Sequence, residues 1–239
     1  MTNNKVTLAP SLVEQYQRAF AAHGDSPAGV MWPRGRQELR FDALTRHFSG
    51  NGFSVLDYGC GLAHLKAYLD KRFSRYEYHG ADLVPEFVNA VTAKYPDAQV
   101  QMVRSHADVS TLVDHVVISG TFNIVDGTDR AAYVERVQTA LLHLFGLARV
   151  SLAVNFMTDR VDFTQPQALH MNVDATMNFM RQHLSPRLRV DESYMPYEFT
   201  LVALKDREIV RPDNIYRPAY CASRPWRLSL PNVMRCRFT

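Results

Sequence analysis

Several features are scarce in this 239-residue chain, and each scarcity narrows what it can be. No apolar run approaches the roughly 20 residues that span a bilayer. Met1-Thr2-Asn3-Asn4-Lys5 opens the chain without the apolar stretch of a secretory signal. Both features predict a cytoplasmic protein with no membrane partner. Only three cysteines occur, Cys60, Cys221 and Cys236, odd in number and irregularly spaced. That excludes a disulfide framework or a zinc pattern and predicts a reducing compartment. A net charge of +3 is too small to argue for nucleic acid. No Ser/His/Asp set and no paired metal ligands can be recognised, so no metal is expected. Internal repeats and low-complexity segments are missing as well. What remains, 46% apolar and 21% charged residues, is ordinary for a globular domain with a sizeable core.

The informative stretch is Phe53-Ser54-Val55-Leu56-Asp57-Tyr58-Gly59-Cys60-Gly61-Leu62-Ala63-His64-Leu65. Its apolar, β-forming start predicts a buried parallel strand. Two glycines one residue apart and a helix start then make a turn where backbone can approach a ligand. Asp82 follows Gly61 by 21 residues and ends a second strand-like run. That is the distance at which a carboxylate can accept from ribose hydroxyls. Two cofactors compete for this pattern. The dinucleotide motif G-x-G-x-x-G/A is incomplete, because His64 stands at its last position. Asp57, immediately before the turn, would repel a pyrophosphate, whereas it suits a cofactor bearing a cationic amine.

Taken in order, Ser11 to His23 predicts a helix, and Gly24 to Gly29 a loop. Trp32 and Arg36 lie in a loop that could close over a ligand, ahead of a second helix running through Phe48. Helices are expected over 62–73, 85–95, 129–145 and 174–183. Strands are expected at 76–81, 98–103, 115–120 and 148–156. This alternation predicts an open, mostly parallel sheet wound on both faces, with ligands outside the carboxyl ends of its strands. Residues 187–190 and 198–204 read as an antiparallel hairpin closing the sheet. From Arg207 onward the chain is irregular and carries seven arginines against two acids. These are dispersed among prolines and apolar residues, which predicts a tail packed on the domain rather than a nucleic-acid patch.

Val-Leu-Asp-Tyr-Gly-Cys-Gly resembles the first motif of class I S-adenosylmethionine (SAM) dependent methyltransferases, with Ala63 where a third glycine is common. Further segments resemble one small bacterial subgroup of that family: Gly24-Asp25-Ser26-Pro27, Gly35 to Phe41, Ser119 to Asn123, Asn155-Phe156 and Tyr194 to Thr200. The resemblance implies a Rossmann-like α/β fold, with residues 1–50 as a helical cap, 51–205 as the SAM-binding domain and 206–239 as an extension. It implies that Gly59 and Gly61 receive the methionyl part of SAM, Asp57 its amine and Arg36 its carboxylate, with Trp32 as cover. Asp82 would hold the ribose with Leu83 beside it, and Ala107 and Asp108 the adenine. Phe122 and Asn123 would flank the sulfonium.

The expected reaction is in-line methyl transfer to a small-molecule, biosynthetic acceptor. Tyr16, Asn123, Asn155, Tyr194 and Tyr197 are candidates for contact with the reacting groups. His64 is expected to face solvent. The family also includes azetidine-2-carboxylate synthases, which cyclise SAM itself and release methylthioadenosine, and that chemistry is the alternative. A third reading is a SAM-binding regulatory protein without catalysis. The acceptor and the oligomeric state are not legible in the residues. A mobile lid is expected over Ser26 to Arg36, hinged at Gly24 and Gly35.

Overall fold

Where β-branched and aromatic residues alternate between glycine-bearing turns, the chain builds a single sheet. The computed structural model describes residues 10–32, 36–127, 129–165 and 167–205. Its strands are β1 (Phe53–Tyr58), β2 (Tyr76–Asp82), β3 (Gln99–Met102), β4 (Val113–Ile118), β5 (Ala148–Thr158), β6 (His170–Met171), β7 (Leu188–Asp191) and β8 (Glu198–Leu204). Their order is β3-β2-β1-β4-β5-β8-β7, with β6 pairing β5 off this path. β1 to β6 pair in parallel, and β8 runs antiparallel to both β5 and β7. The mostly parallel sheet with a closing antiparallel hairpin is therefore as the sequence predicts.

Among the described residues six helices cover it: α1 (Pro10–His23), α2 (Gln37–Thr45), α3 (His64–Asp70), α4 (Pro85–Lys94), α5 (Arg130–Leu147) and α6 (Val173–His183). Alternate residues of β1 serve opposite faces. Val55 packs with Phe41 and Leu44 of α2, Leu65 and Leu69 of α3 and Val91 of α4. Leu56 packs with Val137, Leu141 and Leu144 of α5 and Met180 of α6. Because both faces are covered, every residue of β1 is buried.

Element boundaries differ from the sequence reading for identifiable reasons. α3 starts at His64 rather than Leu62, because Gly61 and Ala63 are both left-handed (φ 53° and 55°). α2 ends at Thr45, whose hydroxyl donates back to the Phe41 carbonyl at 2.6 Å, a bond that loosens helices. β6 is two residues long, too short for any periodicity to announce it. The expected packing of 206–239 lies outside the described residues, as does the Gly35 hinge.

Two polar clusters are buried away from the carboxyl ends of the strands. Lys66 is 6% exposed, with its ammonium 3.1 Å from Asp70 and within 4.8–6.0 Å of the ring centroids of Tyr95, Tyr76 and Tyr78. At the start of β4, His115 Nδ1 and His47 Nε2 each lie 2.8 Å from the Ser151 hydroxyl. Burial holds both imidazoles neutral: His47 falls to about 3 and His115 to about 4. In the unfolded chain they accept protons near pH 6.5. Their stability contribution is therefore complete above that pH and is lost as pH falls toward 4. Urea unfolding at pH 5 should show stability lower by on the order of 1–2 kcal/mol per histidine than at pH 7.5. His115→Phe should remove part of that slope; an unchanged slope would refute the assignment.

Candidate active site

β1 and β2 are neighbours in register, Asp57 opposite Gly80. Asp57 near the end of one strand and Asp82 at the end of the other are thus brought to the same edge. Asp82 is 7% exposed. It accepts the N–H of Gly61 at 2.8 Å and of Val84 at 2.9 Å, so it braces the glycine turn. Desolvation raises its carboxyl above the usual range, against the lowering by those backbone bonds. Asp57 is 2% exposed and accepts the Tyr78 hydroxyl at 2.7 Å. Burial pushes it up to about 7, opposed by the Tyr78 bond and reinforced by Asp82. A buried carboxyl in this state gains most from a cationic partner.

Both acids open on a cavity of about 900 Å³, at the upper end of the range for small-molecule sites. α1, the 30–32 segment, α2, the glycine turn, the loop after β4, residues 163–165 and 167–170 and the β7–β8 hairpin enclose it. The expected residues Tyr16, Trp32, Arg36, Asp57, Gly59, Gly61, Asp82, Leu83, Asn123 and Tyr197 all line it. Tyr16 packs edge-on against Phe87. Its hydroxyl is pushed up to about 12 by burial and by Asp82, so it is a donor at neutral pH and no base. His64 is not simply solvated, since its Nε2 lies 3.0 Å from Asp25.

Five expected residues are not among those lining this cavity. Asn155 is 1% exposed and behind the wall, accepting the Gly120 N–H at 2.7 Å and donating to Glu198 at 3.1 Å. Tyr194 is beside it, donating to Glu198 at 3.3 Å and accepting the Thr200 hydroxyl at 3.1 Å. Burial raises this phenol well above its usual range. Both bond Glu198, which does line the cavity. Ala107 and Asp108 form a short 3-10 turn in which the Asp108 carboxylate accepts from Arg104 and Ser105 N–H at 2.8 and 3.1 Å. Phe122, 2% exposed, lines a smaller adjoining cavity of about 30 Å³ that shares Gly59, Asp82, Leu83 and Thr121 with the large one.

Arg40 is a cavity-lining residue to which the sequence reading gave no role. It is 4% exposed, lines the cavity, and bonds Glu198 through Nε at 2.9 Å and through Nη2. The Trp32 ring covers its guanidinium at 3.8 Å. Its Nη1 faces Gly120, where a methyl group would come within 2.7 Å of it. Arg36, the expected partner of a carboxylate, is exposed. In the sequence Arg40 stands inside the Gly35–Phe41 segment of the resemblance, with nothing to single it out from its neighbours.

The glycines answer to protein neighbours first. Gly59 has φ 78°, and a Cβ there would lie 2.2 Å from the Thr121 hydroxyl oxygen. Thr121 in turn donates to the Tyr58 carbonyl at 2.8 Å. At Gly61 an added Cβ would meet Val30 at 3.0 Å, so the expected lid rests on the glycine turn. Asp25 pins the same segment through Lys94 at 2.6 Å and His64. Two buried polar atoms on the cavity wall have no partner among the described residues, the Trp32 indole N–H and the Asn123 side-chain oxygen. An orphan donor and an orphan acceptor on a wall with two acids and an arginine fit a zwitterionic, ribose-bearing ligand.

Gly29 carries the tightest contact in the segment, where a Cβ would lie 2.1 Å from the Gly24 carbonyl oxygen. Gly29→Ala should open this turn. Hydrogen exchange at 24–32 should accelerate, while β1 remains protected and SAM affinity falls. Unchanged exchange at 24–32 would show that the turn absorbs the methyl group.

Comparison with known proteins agrees with this geometry. Residues 55–143 match the family described as a methyltransferase domain. A Mycobacterium tuberculosis protein named as a methyltransferase is 25% identical over 155 residues, 64% of this chain and 93% of that one. Magnesium protoporphyrin IX methyltransferase from Synechocystis PCC 6803, crystallised with S-adenosylhomocysteine (SAH), shares the fold at a TM-score of 0.59 and 15% identity. The match covers 82% of this chain and 95% of that one. The plantazolicin methyltransferase BpumL, crystallised with SAH and a desmethyl analogue, aligns at a TM-score of 0.56 and 13% identity, covering 82% and 98%. Residues 55–143 thus carry a methyltransferase domain, the chain has the fold of SAM-dependent methyltransferases, and S-adenosylmethionine is the cofactor.

Proposed function

We propose that this protein methylates a small-molecule, biosynthetic acceptor by in-line transfer from SAM, without a metal. The carrying observation is the arrangement of Asp57, Asp82 and Arg40, two buried acids and a buried arginine on one cavity wall. Asp82 would accept the ribose hydroxyls through the lone pairs that Gly61 and Val84 leave over. Asp57 would face the amine, and Arg40 in place of Arg36 would pair with the carboxylate through its Nη1 edge. Trp32 covers that guanidinium, and Tyr16 offers a hydroxyl donor above Asp82. When bound, SAM supplies a methyl group activated by its sulfonium. The protein's contribution is to orient and to exclude water, and orientation alone can provide on the order of 7–11 kcal/mol at its limit. The wall left over by these assignments, around Asn123, Met157, His170 and Tyr197, would receive the acceptor.

Incubation with SAM and an acceptor panel, followed by mass spectrometry, tests the reading. SAH formed together with a methylated acceptor is the expected result. Methylthioadenosine released from SAM alone would replace methyl transfer by cyclisation.

Substitutions separate the two arginines. Arg40→Ala leaves Glu198 as an unpaired buried carboxylate and should cost about 3–5 kcal/mol of stability, together with most SAM affinity. Arg36→Ala should leave stability unchanged and weaken SAM by less than about tenfold, since exposed ion pairs contribute roughly 0–1 kcal/mol. Equal losses in calorimetry would reject Arg40 as the carboxylate partner. Affinity should also rise from pH 6 to pH 8 as Asp57, with its carboxyl raised to about 7, becomes an anion. Asp57→Asn should flatten that rise.

A further inference from the structure

The acceptor half of the cavity holds a group that the orientation of SAM does not use. Ile124 bridges to Ala168, and the Leu169 N–H donates to the Asn123 carbonyl at 2.9 Å. The chain at 168–170 is therefore fastened alongside the loop after β4. The next residue, His170, lines the cavity. Its Nδ1 lies 2.8 Å from the Thr158 carbonyl oxygen, which can only accept, so Nδ1 carries the proton. Its Nε2 lies 3.3 Å from the Gln165 backbone nitrogen, which can only donate, so Nε2 carries a lone pair. The two bonds fix one neutral tautomer.

The bond on Nε2 is long for its type, and Gln165 is exposed. A hydroxyl entering the cavity can displace it while water takes over the freed amide. Nearby, the Asn123 side-chain oxygen is a buried acceptor without a partner among the described residues. The surrounding wall is mostly apolar, with Ile124, Met157 and Met195. Phe163 and Tyr197, 55% and 37% exposed, pair their rings at 5.7 Å.

We propose that His170 is the general base of the transfer and that the acceptor is an aromatic alcohol whose hydroxyl donates to Nε2. This rests on the methyl-transfer reading above. Two acceptor groups in an apolar, aromatic chamber select a molecule that brings a donor. A carboxylate arrives without a proton and would meet two lone pairs. An aliphatic alcohol is too weakly acidic for imidazole, whereas a phenol, with a pKa near 10 like tyrosine, is within a few units. In the step, the acceptor O–H bond breaks and its proton passes to Nε2. The oxygen bonds the methyl carbon as the methyl–sulfur bond breaks, its electron pair staying on sulfur as a neutral thioether. The positive charge lost from sulfur appears on the imidazole, which returns its proton to water.

The test uses the full chain with SAM and three phenols of graded acidity: 4-methylphenol, phenol and 4-nitrophenol. Native protein should methylate all three, with SAH and the aryl methyl ether read by mass spectrometry. His170→Gln and His170→Asn should bind SAM normally. Both should lose on the order of 10²–10⁴ in rate with the two weak acids. They should keep most of the rate with 4-nitrophenol, which is substantially ionised near neutral pH. Nitrogen NMR of the cofactor-free protein should show the Nδ1–H tautomer of His170, its Nε2 resonance shifting with phenol and not with benzoate. Equal loss on all three phenols, no loss on any, or an Nε2–H tautomer would overturn the proposal. SAH formed with carboxylates or thiols but never with a phenol would overturn the acceptor class and leave methyl transfer standing. No SAH with any acceptor would overturn the methyl-transfer reading and this one with it.

Discussion

A guanidinium and a carboxylate removed from water organise the site wall. Arg40 and Glu198 are each about 4% exposed, and desolvating two ions costs several kcal/mol apiece unless each bond they can form is made. The structure meets that demand from five directions. Glu198 receives Arg40, the Asn155 amide and the Tyr194 hydroxyl; Asn155 holds the Gly120 N–H, and Trp32 covers the guanidinium. The pair joins α2 to β8 across 158 residues of sequence. α2, within the 1–50 segment expected as a helical cap, is therefore part of the site wall.

The glycine turn shows a related dependence. Its conformation is imposed by Asp82 pulling on the Gly61 N–H, by Thr121 filling the space above Gly59 and by Val30 resting on Gly61. Ala63 adopts φ 55° without being glycine, a conformation costing roughly 1–2 kcal/mol for a residue with a side chain. Its methyl group is fully buried in the cluster of Leu65 and Leu69, which offsets part of that cost. A third glycine is thus dispensable here because packing stabilises what the backbone disfavours.

The sheet and most helices were legible because each has a strong local cause: apolar alternation, Pro85 opening α4, turns rich in glycine. Asp57, Asp82 and the glycine pair were legible because their spacing follows from one strand–turn–helix unit. The pairing of Arg40 with Glu198 was not, although both lie in segments of the resemblance, since a buried ion pair distant in sequence leaves no local pattern. His170 escaped for a similar reason. Its tautomer depends on the Thr158 carbonyl and the Gln165 amide, and its strand is two residues long. Asn155 and Tyr194 were recognised through resemblance, whereas their hydrogen bonds to Glu198 appear only in the fold.

Lys66 has a practical consequence. With its ammonium between Asp70 and the faces of three tyrosines, and 6% of the residue reachable by water, it belongs to the interior. Amine-directed reagents that label the surface lysines of the native chain would pass over this one. Attachment at Lys66 would therefore count molecules that have opened at α3, and peptide mapping of that single site would measure local unfolding in a mixed preparation without a denaturant.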